Sequence, residues 1–144
     1  MIRTGKANWQ GTLKEGKGTV SSQSGVLNKT NYSFKSRFED GAIGTNPEEL
    51  LATAHAGCFT MQVAALITNK GLTPISLDTV ATLTMEGTDI KSIHLSITGS
   101  VSGINAEEFT AITKDAEKTC IISKTLKILI TSDAKLISEN VSLN

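Results

Sequence analysis

Over the first forty residues, apolar and polar positions alternate in short runs broken by glycine, the patterning of strands and turns. Residues 3–10 and 18–23 are predicted strands on either side of Gly11-Thr12-Leu13-Lys14-Glu15-Gly16-Lys17, a hairpin connection. After a turn at Ser24-Gly25, Tyr32, Phe34, Ser36 and Phe38 alternate with polar residues, so 32–38 reads as a strand with Arg37 on its other face. The period then changes. Asn46 suits an N-cap, Pro47 the first helical position, and Glu49 stands three residues after the cap, which is a capping-box pattern. Gly71, with Pro74 behind it, marks the end, so a helix is predicted from Pro47 to about Lys70. Leu51, Ala54, Cys58, Met61 and Ala65 step by three and four and form one stripe, while Ala52, Ala56, Val63, Ala64 and Ile67 carry apolar character to the other faces.

Two longer alternating runs follow. Ile75, Leu77, Ala81, Leu83 and Met85 mark one strand; Ile93, Leu95, Ile97 and Val101 mark the next, interleaved with His94, Ser96, Thr98 and Ser100. Gly87-Thr88-Asp89 between them fits a hairpin with one wet and one buried face. A second helix begins near Asn105, with Glu108 three residues on. Its stripe of Phe109, Ile112, Ala116 and Cys120 puts Cys120 on the buried side. A last strand is expected within 127–137. The order βββ–α–ββ–α–β, with antiparallel hairpins, points to an α+β fold rather than a doubly wound parallel sheet. The 144 residues suit a single domain covering 1–144.

The long helix constrains assembly. At the standard rise it is about 36 Å long, whereas a compact chain of this size has a radius of gyration of only about 14–15 Å. One small domain has difficulty covering every face of an apolar rod that long, so a homodimer that shares the helix is expected. A membrane span over 50–67 is disfavoured, because Thr53, His55, Thr60 and Gln62 would meet hydrocarbon.

Composition narrows the function. Hydrophobic residues make up 39% and charged residues 19%, enough for a packed core. Lys+Arg 14 balances Asp+Glu 14, and no basic run occurs, so nucleic acid and anionic membranes lose their usual electrostatic footprint. The N-terminal Met1-Ile2-Arg3-Thr4-Gly5-Lys6 has no apolar stretch behind its charges, and a cytoplasmic protein is expected. Two cysteines far apart in a reducing compartment are inert buried thiols, a metal pair or a redox couple. Metal is poorly supported, since only His55 and Cys58 approach a ligand spacing. No nucleotide-binding glycine motif or serine-hydrolase elbow is present.

A redox role for Cys58 requires a thiolate. At an ordinary thiol pKa near 8.5, only about 3% is ionised at neutral pH, and Cys58 lies too far inside its helix for the dipole to help. A cation must do so; Arg3, Arg37 and the lysines are the candidates, and spacing selects none of them. Glu49 is a capping residue by pattern and could also hold an arginine side-on. His55 reads as a packing element, with a Cys–His pair as the sharper alternative, and His94 as a solvated one.

The segments Ala7-Asn8-Trp9, Gly16-Lys17-Gly18-Thr19-Val20, Ser24-Gly25-Val26-Leu27-Asn28, Arg37-Phe38-Glu39, Gly44-Thr45-Asn46-Pro47-Glu48-Glu49-Leu50, Ala54-His55-Ala56-Gly57-Cys58-Phe59 and Cys120-Ile121-Ile122-Ser123 extend over nearly the whole chain. Together they closely resemble the osmotically inducible protein C family and its relatives, the organic hydroperoxide resistance proteins. The resemblance implies an intertwined α+β homodimer, with antiparallel sheets around long central helices, that reduces organic hydroperoxides without metal or cofactor. It implies Cys58 as peroxidatic thiolate, Cys120 as resolving thiol, Arg37 as the thiolate-stabilising cation, and Glu49 as the carboxylate that positions Arg37. An external dithiol, in some relatives a lipoylated protein, would reduce the resulting disulfide. The family often has proline after the second cysteine; here Ile121 follows Cys120. Phe59, Met61 and Ile122 are candidates for lining an alkyl-binding pocket. A redox-sensing or small-molecule-binding dimer without turnover is the alternative.

Overall fold

The computed structural model describes residues 1–137. Its contacts divide the chain into two compact units, residues 1–50 and 51–144.

The first unit carries a three-stranded antiparallel sheet of β1 (Gly5–Gln10), β2 (Lys17–Ser22) and β3 (Thr30–Tyr32), in that order. Its register sets Trp9, Gly18 and Tyr32 side by side across the three strands. The Trp9 and Tyr32 rings meet edge-on over the glycine, with centroids 5.5 Å apart. A Cβ on Gly18 would lie 2.6 Å from each ring, so only glycine permits the pair.

The segment expected to extend the strand pattern to Phe38 is instead helical: α1 spans Phe34–Phe38. Ser33 and Ser36 form a reciprocal capping box, with Ser33 Oγ accepting from the Ser36 N–H at 3.1 Å and Ser36 Oγ from the Ser33 N–H at 2.8 Å. The Phe34 and Phe38 rings, one turn apart, sit 4.9 Å from each other. The cap and the aromatic pair outweigh a short period-two pattern.

Helix α2 spans Pro47–Asn69, with its first turn in the first unit. Asn46 Oδ1 accepts from the Glu49 N–H at 2.7 Å, as the cap pattern predicts. At the other end Gly71 adopts φ +79. Its N–H reaches Thr68 O and that of Leu72 reaches Ile67 O, closing a Schellman turn that a side chain at 71 would strain.

The second unit is built on β4 (Pro74–Glu86), β5 (Asp89–Val101) and β6 (Leu129–Leu136), in the order β4-β5-β6. The β4–β5 hairpin closes at Gly87-Thr88, as expected. The β5–β6 pair is parallel, which corrects the all-antiparallel expectation. The helix α3 (Ala106–Thr119) and the short α4 (Ile121–Thr125) supply the crossover that parallel strands require. The core forms where Ile93, Leu95 and Ile97 of β5 meet Phe109, Ile112, Ala116 and Cys120, together with Phe59, Val63 and Ile67 of α2.

The buried face of α2 is therefore His55, Phe59, Val63 and Ile67, stepping by four. The stripe read from sequence is displaced: Leu51 and Cys58 are partly buried, whereas Ala54, Met61 and Ala65 are exposed, Met61 at 76%. A helix apolar on every side has no periodic signal to choose its inner face.

Candidate active site

In the second unit, α3 ends at Thr119 and the chain turns at Cys120, whose extended backbone (φ −58, ψ 135) separates α3 from α4. No proline is needed for this break; Ile121 takes the first position of α4. The turn points Cys120 Sγ at Cys58 Sγ across 3.0 Å, and both thiols are free. Cys58 is partly buried and Cys120 fully so.

Their acidities are opposed. Burial and the Cys120 thiol push Cys58 up, against a smaller pull from the N–H groups of Ile122 and Ile121; none of these principal influences is a cation. Cys120 is also penalised by burial, but hydrogen bonds from Cys58 and from the Ser123 and Ile122 groups outweigh that and hold it below its ordinary value. Positive charge beside Cys58 would favour its thiolate.

His55, one turn before Cys58, is wholly buried, and that burial lowers its pKa. Its Nε2 pairs with Ser123 Oγ at 2.7 Å rather than with a sulfur. The packing expectation thus describes it better than a Cys–His pair. His94 lies on the outer, polar face of β5 and there bridges Thr131 Oγ1 at 2.6 Å and Asp133 Oδ1 at 2.5 Å.

In the first unit, α1 presents Arg37. Its Nε donates to Glu48 Oε1 at 2.8 Å, and its guanidinium lies over the Phe38 ring at 5.3 Å. Arg37 is 44% exposed and Glu48 only 11%. The carboxylate on Arg37 Nε is that of Glu48, the neighbour of the Glu49 that the resemblance implies for this role. Glu49 accepts from Thr45 Oγ1 at 2.9 Å and from Asn46 Nδ2 at 3.3 Å, deepening its capping role. Adjacent residues in a helical turn point about 100° apart. No motif separates them in sequence.

Arg37 also borders a cavity of about 430 Å3 walled by Trp9, Leu13, Tyr32, Phe34 and Phe38. Sequence reasoning missed this apolar pocket and placed one near Phe59, Met61 and Ile122. Phe59 is instead fully buried in the core, and Met61 stands exposed. The available signal was the aromatic spacing around Gly18 and within α1. No group of three or more His, Cys, Asp or Glu residues able to hold a metal occurs among the described residues.

A family model described as OsmC-like protein matches residues 39–134, a stretch that contains both cysteines. The chain belongs to the OsmC-like family. It is 44% identical over 138 residues to peroxiredoxin OsmC of Escherichia coli strain K12, which covers 93% of this chain and 96% of that protein. The peroxiredoxin OsmC of Shigella flexneri matches equally well. Among solved structures, an OsmC-like protein of unknown function from Vibrio cholerae superposes with a TM-score of 0.72 at 13% identity, covering 93% of this chain and 99% of that one. The organic hydroperoxide resistance protein OhrB of Bacillus subtilis gives 0.63 at 21%, covering 93% and 98%. At these identities the structural matches speak to the OsmC-like fold alone.

Proposed function

We propose that this OsmC-like protein is a cysteine-based peroxidase that reduces organic hydroperoxides to alcohols in oxidative stress defence. One observation carries the reading: two free thiols face each other at 3.0 Å, one partly accessible and one sealed in the core. Its peroxidase character is supported by the peroxiredoxin names of the 44%-identical relatives.

Access decides the roles. Cys120 is fully buried, so no peroxide reaches it, whereas Cys58 is partly accessible. Cys58 is the peroxidatic sulfur, and Cys120 the resolving one. Cys58 attacks the peroxide oxygen, releasing the alcohol and leaving a sulfenic acid. Cys120 then condenses with it, forming the disulfide and water, before a second peroxide can oxidise it further. An external dithiol, a small molecule or a lipoylated protein, returns both thiols and becomes a disulfide itself.

Arg37 is the cation that shifts charge onto Cys58, from its own chain or from a partner's, and Glu48 holds the guanidinium for that task. The aromatic cavity beside Arg37 accommodates the organic group of the peroxide; burial there is favourable by about 25 cal/mol per Å2, a gain unavailable to hydrogen peroxide. No metal or cofactor takes part.

The working form is an intertwined homodimer. Among the described residues every fully buried apolar side chain lies beyond residue 50, so the first unit lacks a core of its own, while α2 exposes Ala54, Gly57, Met61 and Ala65. By length and composition alone α2 could cross a membrane; a second copy of the chain is the better cover, since His55, Gln62 and Thr60 are committed to side-chain partners within this fold. A cytoplasmic location suits thiols that must be returned to the reduced form, and the balanced charge suits neither nucleic acid nor a membrane surface as partner.

Consumption of cumene hydroperoxide with dithiothreitol tests the proposal. The wild-type protein should turn over and Cys58→Ser should not; undiminished turnover by the variant would remove Cys58 from the reaction. If Cys58 instead oxidises once under excess dithiol and goes no further, a redox sensor is the right description.

A further inference from the structure

The two sulfurs do not meet in isolation. On α2, His55, Cys58 and Gln62 step by three and four along one face, and each has a partner in the chain running from α3 into α4. His55 Nε2 pairs with Ser123 Oγ at 2.7 Å, Cys58 Sγ with Cys120 Sγ at 3.0 Å, and Gln62 Nε2 donates to Thr119 Oγ1 at 2.9 Å. The three pairs run antiparallel, like rungs, with the cysteines in the middle.

The outer rungs are built into their surroundings. Thr119 Oγ1 spends its own proton on Asp115 O at 2.8 Å, leaving a lone pair for Gln62. His55 is fully buried, and its Nδ1 has no hydrogen-bond partner. A bare lone pair there costs less than an orphaned N–H, which puts the imidazole proton on Nε2. Nε2 then donates to Ser123 Oγ, and Ser123 is left to direct its hydroxyl proton, together with its N–H at 3.5 Å, at Cys120 Sγ.

We infer that His55–Ser123 and Gln62–Thr119 are positioning pairs that clamp the α3–α4 corner onto α2 and hold Cys120 in place to resolve oxidised Cys58. The inference rests on the peroxidase reading above. Resolution is a race: the sulfenic acid of Cys58 either condenses with Cys120 and releases water, or takes a second oxygen from another peroxide and becomes sulfinic acid. Loosening the corner slows the first course and leaves the second untouched. The Gln62–Thr119 pair touches neither sulfur, so loosening it also leaves the initial attack by Cys58 untouched. The clamps hold Cys120 at a corner where Ile121 imposes none of the backbone constraint of proline.

The test uses the full chain with stepwise additions of cumene hydroperoxide and intact-mass analysis, in Ser123→Ala, Gln62→Leu, the double variant, and Ser123→Thr, which keeps the hydroxyl. Expected are unchanged peroxide consumption in the first turnover of Gln62→Leu, and sulfinic acid at about fivefold lower peroxide in each single variant. The double variant should over-oxidise at lower doses still, and Ser123→Thr should behave as wild type. Thermal melts identify any variant that has lost its fold, and Ser123→Ala removes only one oxygen, so at least that measurement stands. Variants that resolve as efficiently as the wild type would overturn the clamp and leave the peroxidase intact. A wild-type protein that consumes no hydroperoxide would overturn both.

Discussion

The two units of this chain solve different physical problems. Residues 51–137 contain the continuous apolar core, with Phe59, Val63, Ile67, Leu95 and Phe109 wholly buried, and the sulfurs are set into its edge. Residues 1–50 bury Ser36 and Thr45 but no apolar side chain completely, and leave Leu13, Val26, Phe38 and Ile43 exposed. Yet this weakly buried unit holds the guanidinium and the aromatic cavity. The facing sulfurs are thus held by packing, whereas the groups proposed to charge one of them and to receive its substrate depend on hydrogen bonds and ring contacts. Stability and chemistry should accordingly respond to different mutations.

The sharpest way to break that contrast is through packing. Phe109→Ala should cost about 3–5 kcal/mol of unfolding free energy by urea titration, and Phe38→Ala, on a ring already 45% exposed, no more than about 1 kcal/mol. Equal losses would show that the first unit has a hidden core. Catalysis should reverse the order. Arg37→Ala should lower kcat/KM for cumene hydroperoxide by about a hundredfold, the equivalent of about 2.7 kcal/mol of lost thiolate stabilisation, with the melting temperature little changed.

A finer distinction falls within the first turn of α2. Glu48→Gln, which leaves Arg37 a neutral partner, should lower kcat/KM about tenfold. Glu49→Gln should act instead on stability, through the Thr45 and Asn46 bonds, by about 1 kcal/mol. The opposite outcome would assign the orienting role to Glu49.

The smallest effect concerns pH. Burial lowers the pKa of His55, so the folded protein resists protonation while the unfolded chain takes a proton near 6.5. Stability is then greatest above that value and falls as the pH drops through it toward the depressed folded value. His55→Gln should flatten this part of the urea-derived stability profile, and an unchanged slope would place the titration elsewhere.

Much of this arrangement is legible in the sequence where a local rule has no rival. Asn46-Pro47 starts α2, Gly71 ends it, Asn105 and Glu108 cap α3, and strict alternation marks β5 and its inner face. The rest turns on competition. Residues 34–38 satisfy both a strand period and an i,i+4 aromatic pair, and the Ser33–Ser36 box decides for helix. The inward side of α2 is chosen by its partners, because nearly every side is apolar. Parallel pairing of β6 depends on where the crossover lands. The resemblance singled out Cys58, Cys120, Arg37 and Glu49, but the rungs through Ser123 and Thr119 join positions far apart in sequence, and no spacing rule reaches that distance.

The most direct measurement is the intact mass of the reduced protein after one equivalent of cumene hydroperoxide. Loss of two hydrogens, absent in both Cys58→Ser and Cys120→Ser, is the expected signature of a bond between the facing sulfurs. Gain of oxygen on Cys58 without that loss, or no change of mass at all, would contradict a resolving partnership between them.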